Sequence, residues 1–297
     1  MAKIKNYAFD FAKGLLNEID SEHGSNKKSN DYSRFYKLFK SEEMLERSVV
    51  GIDIYKYSSY EFDKQSLIPF LFDLLYEETR KNCKEHEAWL FQFMNDQRFK
   101  DQFIPTGDGG FQILTSPLHA IIFIVYFEAN LRAFNAGMFY PGFQAELGQI
   151  RLRYSVTYNK IIQYGSNFYG PGIINNARIL SRDKLNRLLI DDNTHDWFME
   201  NINGIESLPL LNLEDISRAG RYKMYKGALI GTLISANESL LIHISSSKLS
   251  DIKIKEQLIS VFNIYIQAKL IVDLKNDKIP TGKVVVAVGS PNASGIE

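Results

Sequence analysis

A short apolar segment that contains one carboxylate constrains the fold of this chain more than any other feature. The segment reads SVVGIDIYKY, and Val49, Val50, Ile52 and Ile54 are β-branched residues that favour a buried strand. Asp53 lies between the last two of them. Burying an ionised carboxylate costs several kcal/mol unless a cation or a metal ion lies beside it. The segment therefore predicts a buried strand that carries a charged site.

The order of the elements after this strand indicates an α+β fold. KQSLIPFLFDLLYEETRKN has apolar residues at helical spacing, and residues 103–115 form two extended arms around Gly107-Asp108-Gly109-Gly110, which is typical of a hairpin. PLHAIIFIVYFEANLRAFNAG predicts an apolar helix, and RLRYSVTYNKIIQY predicts a further strand. Strand, helix, hairpin, helix and strand in this order predict a ferredoxin-like βαββαβ palm.

The rest of the chain is interpreted in the same way. GPGIINNARILSRDKL predicts a turn and a helix, and NRLLIDDNTHDWFM predicts a short strand and a helix capped by Asn193 or Thr194. Residues 240–244 predict a strand, residues 252–274 a helix, and KVVVAV another strand. Residues 1–45 predict a charged helical extension.

Composition excludes several classes of protein. Lys plus Arg and Asp plus Glu each number 35 among 297 residues, which gives a net charge of +0. A protein that binds mainly nucleic acid would carry a basic surplus, so we expect no nucleic-acid partner. The longest apolar run, residues 120–127, is too short to cross a bilayer, and Cys83 is the only cysteine. These features predict a soluble, cytoplasmic protein without a membrane partner.

A second carboxylate, Asp108, lies at the turn of the predicted hairpin. In a βαββαβ palm the first strand and the hairpin are neighbours, so Asp53 and Asp108 are expected to approach each other. Mg²⁺ typically binds one or two carboxylates together with substrate phosphates, and two metal ions can hold both oxygens of a phosphoryl displacement. The alternative for Asp108 is a turn-forming role, because Asp-Gly is a common hairpin dipeptide. Together the two aspartates favour a metal site.

The motifs around these aspartates resemble, in order, the catalytic domain of class III nucleotidyl cyclases. GIDIYKYS is similar to the family pattern F-x-D-I-x-G-[FY]-[ST], and Gly107-Asp108 is similar to its G-D hairpin. RYSVTYN resembles its R-x-G-x-x-x-G strand, YGPGIINNARIL its G-x-x-V-N-x-A-x-R-[LI] helix, and RLLIDDNT its next strand. MYKG, at Lys226, resembles the family's late lysine-glycine. The resemblance implies a catalytic domain at 46–240, between an N-terminal extension at 1–45 and a C-terminal extension at 241–297.

The resemblance also implies a reaction and an assembly. A nucleoside triphosphate would be converted to its 3′,5′-cyclic monophosphate with release of pyrophosphate. Asp53, Asp108 and the carbonyl group of Ile54 would bind two Mg²⁺ or Mn²⁺ ions. The active sites would lie between the subunits of a head-to-tail homodimer.

The remaining site residues implied by the resemblance bind phosphate or act in catalysis. The backbone from Tyr55 through Lys56 and Tyr57 to Ser58 would hold the triphosphate. Arg178 and Lys226 would stabilise charge on the α-phosphoryl oxygens, an electrostatic effect that is often the largest in catalysis. The catalytic residues that the resemblance implies are therefore Arg178, Lys226 and the helix asparagine, Asn175.

The chain departs from the family pattern at two places. Lys56 stands where the family has the glycine of the phosphate loop. The helix motif has two possible registers: if Arg178 matches the arginine, Ile174 holds the asparagine position, and if Asn175 matches the asparagine, Ile179 replaces the arginine. The first register keeps YGPG aligned without a gap and is the one that we favour.

The identity of the base is predicted from Ile104. Purine-selective members of the family have lysine or glutamate four residues before the hairpin aspartate, and isoleucine cannot hydrogen-bond a base. Tyr55, Tyr57 and Phe103 are expected to narrow the pocket, which favours UTP or CTP. In this respect the chain is similar to the pyrimidine cyclases of bacterial Pycsar antiviral systems. The alternatives are an adenylate cyclase with an atypical base pocket, and a degenerate cyclase fold that binds nucleotide or a partner without turnover.

Overall fold

The computed structural model describes residues 44–138, 140–164, 167–207, 241–254, 257–272 and 282–296. Within these ranges the strands are β1 (Met44–Ile54), β2 (Phe103–Pro105), β3 (Gly109–Leu114), β4 (Leu152–Tyr164), β5 (Asn167–Tyr169), β6 (Leu188–Asp191), β7 (Leu241–Ile254), β8 (Gln257–Val272) and β9 (Gly282–Val288). The helices are α1 (Phe62–His86), α2 (Asp96–Asp101), α3 (Pro117–Asn135), α4 (Pro141–Leu147), α5 (Pro171–Arg182) and α6 (Asp192–Ser207).

The strands described form one sheet in the order β2-β3-β1-β4-β6-β8-β7, with β5 paired to β4 and β9 paired to β8. The pair β4–β6 is parallel, and the other described pairs are antiparallel. The succession β1-α1-β2-β3-α3-β4 with the spatial order β2-β3-β1-β4 is a ferredoxin-like βαββαβ arrangement. The predicted α+β palm is confirmed.

The sheet has two differently covered faces, because side chains alternate along each strand. On the back face, Val50, Ile52 and Ile54 pack with α1 and α3 in the main hydrophobic core. On the front face, α5 lies against β1 and β4. Gly51 permits this close approach, since a Cβ atom there would lie 2.0 Å from the Oδ1 atom of Asn176. Asp53 follows Gly51 by two residues and therefore also points to the front face.

The structure corrects two predictions made from the sequence. Residues 252–274 were expected to be helical, but β8 occupies most of this range as a strand. Its apolar residues alternate between faces: Val261 packs on the front and Ile264 and Ile266 on the back, a pattern that a helix cannot produce. The cap of α6 is Asp191 rather than Asn193 or Thr194, because the Oδ1 atom of Asp191 accepts a hydrogen bond from Thr194 N–H at 2.9 Å.

Residues 241–297, predicted to be an extension, contribute strands to the same sheet, since β8 pairs with β6 of the palm. The predicted N-terminal helical extension lies outside the described residues, apart from Met44 and Leu45, which begin β1. Among the helices that the structure describes, none combines the length and the apolarity needed to cross a membrane.

Candidate active site

The β2–β3 hairpin brings the two predicted metal-binding aspartates together. Asp53, near the end of β1, pairs in register with Gly109, the first residue of β3. The N–H group of Ile54 donates a hydrogen bond of 3.1 Å to the carbonyl oxygen of Asp108. A Cβ atom at position 109 would lie 2.0 Å from the carbonyl oxygen of Ile52, so the hairpin can approach β1 this closely only with glycine there.

The carboxyl groups of Asp53 and Asp108 lie within hydrogen-bonding reach of each other. Partial burial, with a further contribution from Asp108, raises the pKa of Asp53 despite the opposing effect of Arg153. The pKa is raised because the charged form is poorly solvated and faces a like charge. An added cation would relieve both effects.

Arg153 is a site residue that the sequence analysis missed. It lies on β4 directly opposite Asp53 in the β1–β4 register, and its Nε atom donates to the Oδ2 atom of Asp53. Its Nη1 atom donates to the carbonyl oxygen of Asp183, just beyond α5. Arg153 falls inside the motif RYSVTYN, but only the pairing register of the two strands places it beside Asp53.

The donor set fits a hard divalent cation. Two carboxylates face one arginine, so the cluster keeps a net negative charge, and carboxylate oxygens are the ligands that Mg²⁺ and Mn²⁺ prefer. Ile54 offers only its backbone here, because its side chain is buried in the core. In the part of the chain that the structure describes, no three His, Cys, Asp or Glu residues form a metal cluster. The site is therefore of the kind in which substrate phosphates complete the coordination of the ion.

The loop after Asp53 presents unpaired backbone donors. The N–H groups of Ser59 and Tyr60 donate within the loop, whereas those of Lys56, Tyr57 and Ser58 make no hydrogen bond to a described residue. Lys56 has a left-handed backbone with φ of 59°, the conformation that favours glycine. Its Nζ atom lies 5.2 Å from the ring centre of Tyr55. Successive free N–H groups in a turn that contains a left-handed residue form an anion-binding concavity.

Some of the aromatic residues expected to surround the base lie away from the two carboxylates in the structure. Phe103 packs on the back face, with its ring centre 4.6 Å from that of Tyr76, and Tyr57 also packs against the main core. The expectation that Phe103 narrows a base pocket beside the carboxylates is therefore wrong, whereas the same expectation for Tyr57, which is half-buried, stays a prediction. Ile104, the next residue of β2, points to the front face and packs against the cluster around Val49. Tyr55 is half-buried and donates its hydroxyl to the carbonyl oxygen of Lys184 at 3.0 Å.

Side-chain exposure along α5 bears on the register of its motif. Ile174 is 51% exposed and Arg178, four residues later, is half-buried, so both occupy the outer side of the helix. Asn175 is buried and Ile179 is 0% exposed, so the second register would place its arginine position inside the core. Arg178 forms no ion pair with any described residue. Lys226 lies outside the described residues.

Asn176, which the sequence analysis did not single out, anchors α5 to the sheet. Its side-chain amide group donates to the carbonyl oxygens of Val49 at 2.8 Å and Ser155 at 3.1 Å, and it is 0% exposed. The asparagine next to the arginine motif therefore has a structural role.

Comparisons with known proteins give likenesses only at the level of solved structures. No family model matches the chain, and no curated protein is similar to it. The adenylate/guanylate cyclase/hydrolase of Silicibacter pomeroyi is 10% identical, with a TM-score of 0.40 over 75% of this chain and 97% of that chain. The adenylyl cyclase CyaB of P. aeruginosa is 11% identical, with a TM-score of 0.42 over 75% and 95%.

A third similar structure is the guanylate cyclase domain of RhGC from Catenaria anguillulae in complex with GTP. It is 12% identical, with a TM-score of 0.43 over 76% of this chain and 98% of that chain. Likenesses of this strength carry no weight for activity.

Proposed function

We propose that this protein is a nucleotide cyclase that converts a nucleoside triphosphate into its 3′,5′-cyclic monophosphate and pyrophosphate. The observation that carries the proposal is the adjacency of Asp53 and Asp108 at the front of the sheet, with Arg153 beside them. The order of the cyclase-like motifs along the chain supports it independently.

Asp53, Asp108 and the Ile54 carbonyl would hold Mg²⁺ or Mn²⁺, two ions in the active complex. When bound, the metal supplies positive charge to the reacting phosphate and to the 3′ oxygen. The N–H groups of Lys56, Tyr57 and Ser58, which donate to no residue that the structure describes, would bind the triphosphate.

The reaction itself is an internal displacement at phosphorus. The ribose 3′ hydroxyl loses its proton to solvent, and its oxygen forms a bond to the α-phosphorus. The bond from the α-phosphorus to the bridging oxygen breaks, and pyrophosphate leaves with that electron pair. Arg153, Arg178 and Lys226 would stabilise the negative charge on the phosphoryl oxygens. Arg178 lies on the outer side of α5, and there it would act on a substrate held by a second, head-to-tail subunit.

We further propose that UTP or CTP is the substrate. The support is Ile104, an apolar side chain on the same face of the sheet as Asp53. A site that hydrogen-bonds its base rejects analogues strongly, and a site without such a reader must select by size. With Phe103 packed against the core on the opposite face, this selection rests on Ile104, Tyr55 and Tyr57. The product would be cyclic UMP or cyclic CMP, used as an antiviral second messenger as the Pycsar resemblance implies.

A second candidate function is nucleotide binding without turnover. It is favoured by one observation: Ile174, an apolar residue, holds the exposed position four residues before Arg178. If an asparagine there is essential for the reaction, the site would bind nucleotide without forming a cyclic product.

One experiment separates these functions. The protein is incubated with ATP, GTP, CTP and UTP at equal concentrations and with Mn²⁺, and the products are identified by mass spectrometry. We expect cyclic UMP or cyclic CMP to exceed the purine products by at least about tenfold. Dominant cyclic AMP or cyclic GMP would contradict the pyrimidine preference alone. Binding of a triphosphate without any cyclic product would favour the second candidate.

A further inference from the structure

The guanidinium group of Arg153 donates two hydrogen bonds, and the second one connects it to a part of the chain away from the carboxylates. Its Nε atom donates to Asp53, and its Nη1 atom donates to the carbonyl oxygen of Asp183. Asp183 ends α5, where its N–H group donates to the carbonyl oxygens of Ile179 and Leu180. The orientation of Arg153 against Asp53 therefore depends on the position of Asp183.

The position of Asp183 is fixed by Arg187, and both residues are 1% exposed. The Nε and Nη2 atoms of Arg187 donate to the Oδ1 atom of Asp183 at 2.9 and 2.7 Å, and Leu185 N–H donates to the same oxygen at 3.1 Å. The Oδ2 atom of Asp183 is buried and accepts no hydrogen bond from any residue that the structure describes. A buried carboxylate with one unpaired oxygen depends strongly on its remaining cation, because removing one partner leaves an uncompensated charge.

Arg187 in turn is fixed by residues 289–296, here called the closing segment. The Nη1 atom of Arg187 donates to the carbonyl oxygens of Ser294 at 2.6 Å and Asn292 at 3.3 Å. Asn263 on β8 donates to the carbonyl oxygens of Ser290 at 2.7 Å and Asn292 at 3.3 Å.

Two further features seat the closing segment on the front face. Ile296 packs with Ile179 and Leu189 in a front-face hydrophobic cluster. Gly289 begins the segment with φ of +78°, and a Cβ atom there would lie 2.4 Å from the carbonyl oxygen of Ile264. The turn into the segment therefore requires glycine.

We propose that Arg187 is a positioning residue of the active site, and that the closing segment sets its orientation. The segment fixes Arg187, Arg187 fixes Asp183, and the Asp183 carbonyl group orients Arg153 against Asp53. This inference rests on the proposed function for its catalytic consequence, but the physical link from the segment to Arg153 does not. When the segment is displaced, Arg187 loses two acceptors, and the guanidinium group of Arg153 loses its fixed orientation.

Two variants of the full chain test the link, and a third is the matched control. Arg187→Lys keeps the charge but removes the planar fork that spans Asp183 and the segment. Gly289→Ala displaces the segment without touching Arg187, so it covers the case in which Arg187→Lys fails to fold. The control is Arg132→Lys. Arg132 also donates to the C-terminal part of the chain, at the Ala287 carbonyl oxygen at 2.6 Å, but from the back face and without a contact to Asp53.

The first readout is independent of turnover. The Nε–H signal of Arg153 is followed by ¹⁵N NMR and assigned by its loss in Arg153→Lys. We expect the signal to shift or broaden in Arg187→Lys and in Gly289→Ala, and to stay unchanged in Arg132→Lys. An unchanged Arg153 signal in both test variants would overturn the proposal, whether or not the protein is a cyclase.

The second readout is steady-state kinetics, with thermal unfolding measured on the same samples. We expect kcat/KM to fall about 10- to 100-fold in the two test variants, as is typical when a residue that orients an active-site group is changed, and to stay near wild type in Arg132→Lys. An unchanged kcat/KM together with a shifted Arg153 signal would overturn the catalytic part. If the wild type forms no cyclic product although the signal shifts, the proposed function fails and the link to Asp53 stands.

Discussion

At the scale of single residues, Lys56 occupies a backbone conformation that favours glycine. Its φ of 59° costs a side-chain-bearing residue about 1 kcal/mol, and the resemblance places a glycine there. The lysine is nevertheless well placed to bind phosphate, because it stands among the free N–H groups that follow Asp53.

We expect Lys56→Gly to be more stable than Lys56→Ala by about 1 kcal/mol, because both variants lose the ammonium group but only glycine relieves the left-handed conformation. Urea unfolding of the two variants measures this difference. Both should bind a non-hydrolysable triphosphate more weakly than the wild type. Equal stabilities would contradict the strain, and unchanged affinities would contradict the role of the ammonium group.

The buried carboxyl group of Asp191 is expected to make the free energy of unfolding depend on pH. Burial is the main cause that raises its pKa to about 7; the adjacent Asp192 acts in the same direction, and hydrogen bonds from Thr194 and Tyr158 oppose the shift. Between about pH 4 and pH 7 the folded protein holds a proton that the unfolded chain has released, so this contribution to stability is lost as the pH rises through that range.

The variant Asp191→Asn keeps the capping oxygen and removes the titration. We expect its unfolding free energy, relative to that of the wild type, to increase by at least about 1 kcal/mol from pH 4 to pH 8, since one pKa unit corresponds to about 1.4 kcal/mol. The difference between the two unfolding free energies cancels the contributions of other titrating groups. One such group is His119, whose pKa is lowered to about 4 by burial. A constant difference across this range would contradict the assignment.

At the scale of elements, two adjacent asparagines of α5 have different roles. Asn176 is fully buried and hydrogen-bonded to β1 and β4, whereas the described structure gives Asn175 no hydrogen bond that anchors the helix. Asn176→Ala should lower the unfolding free energy by about 2 kcal/mol, because it removes two buried hydrogen bonds to the carbonyl oxygens of Val49 and Ser155. Asn175→Ala should cost less than half of that. Thermal unfolding of both variants tests this, and equal losses would contradict the anchoring role.

Much of the palm could be predicted from the sequence, because its elements have distinct periods. The apolar spacing of α1 and α3 and the Gly-Asp-Gly-Gly turn identify two helices and a hairpin without any tertiary information. β8 could not be identified in this way, because an apolar run such as VFNIYI fits a buried helix as well as a strand until its partners are known. The neighbours of β8 are strands, and they impose the period of two.

The candidate site was only partly predictable for a related reason. Asp53 and Asp108 each stand in a local motif that can be identified from the sequence. The contact of Arg153 with Asp53 depends on the β1–β4 register, which is a property of the strand pair and not of either strand. The expectation for Phe103 failed because alternation along β2 points neighbouring side chains to opposite faces.

At the scale of the whole molecule, the proposal requires two chains. If the Asp53 of one subunit and the Arg178 of its partner act on the same substrate, Asp53→Asn and Arg178→Ala are each inactive alone. A mixture of the two should regain activity, because a mixed dimer contains one site with neither change. The test is a titration of one variant into the other with product measured at each ratio. Activity that never exceeds that of the separate variants would contradict a shared site.

The most direct test of the central claim is product formation by Asp53→Asn, which keeps the shape of the side chain and removes its charge. The rates of cyclic nucleotide and pyrophosphate formation are compared with those of the wild type and of Asp63→Asn, an exposed aspartate in the first turn of α1. We predict a loss of at least about 100-fold in Asp53→Asn and none in Asp63→Asn, since removing a single electrostatic contact in an active site typically costs this much. Equal rates of cyclic product in the two variants would contradict the assignment of Asp53 and Asp108 as the metal-binding centre of a cyclase.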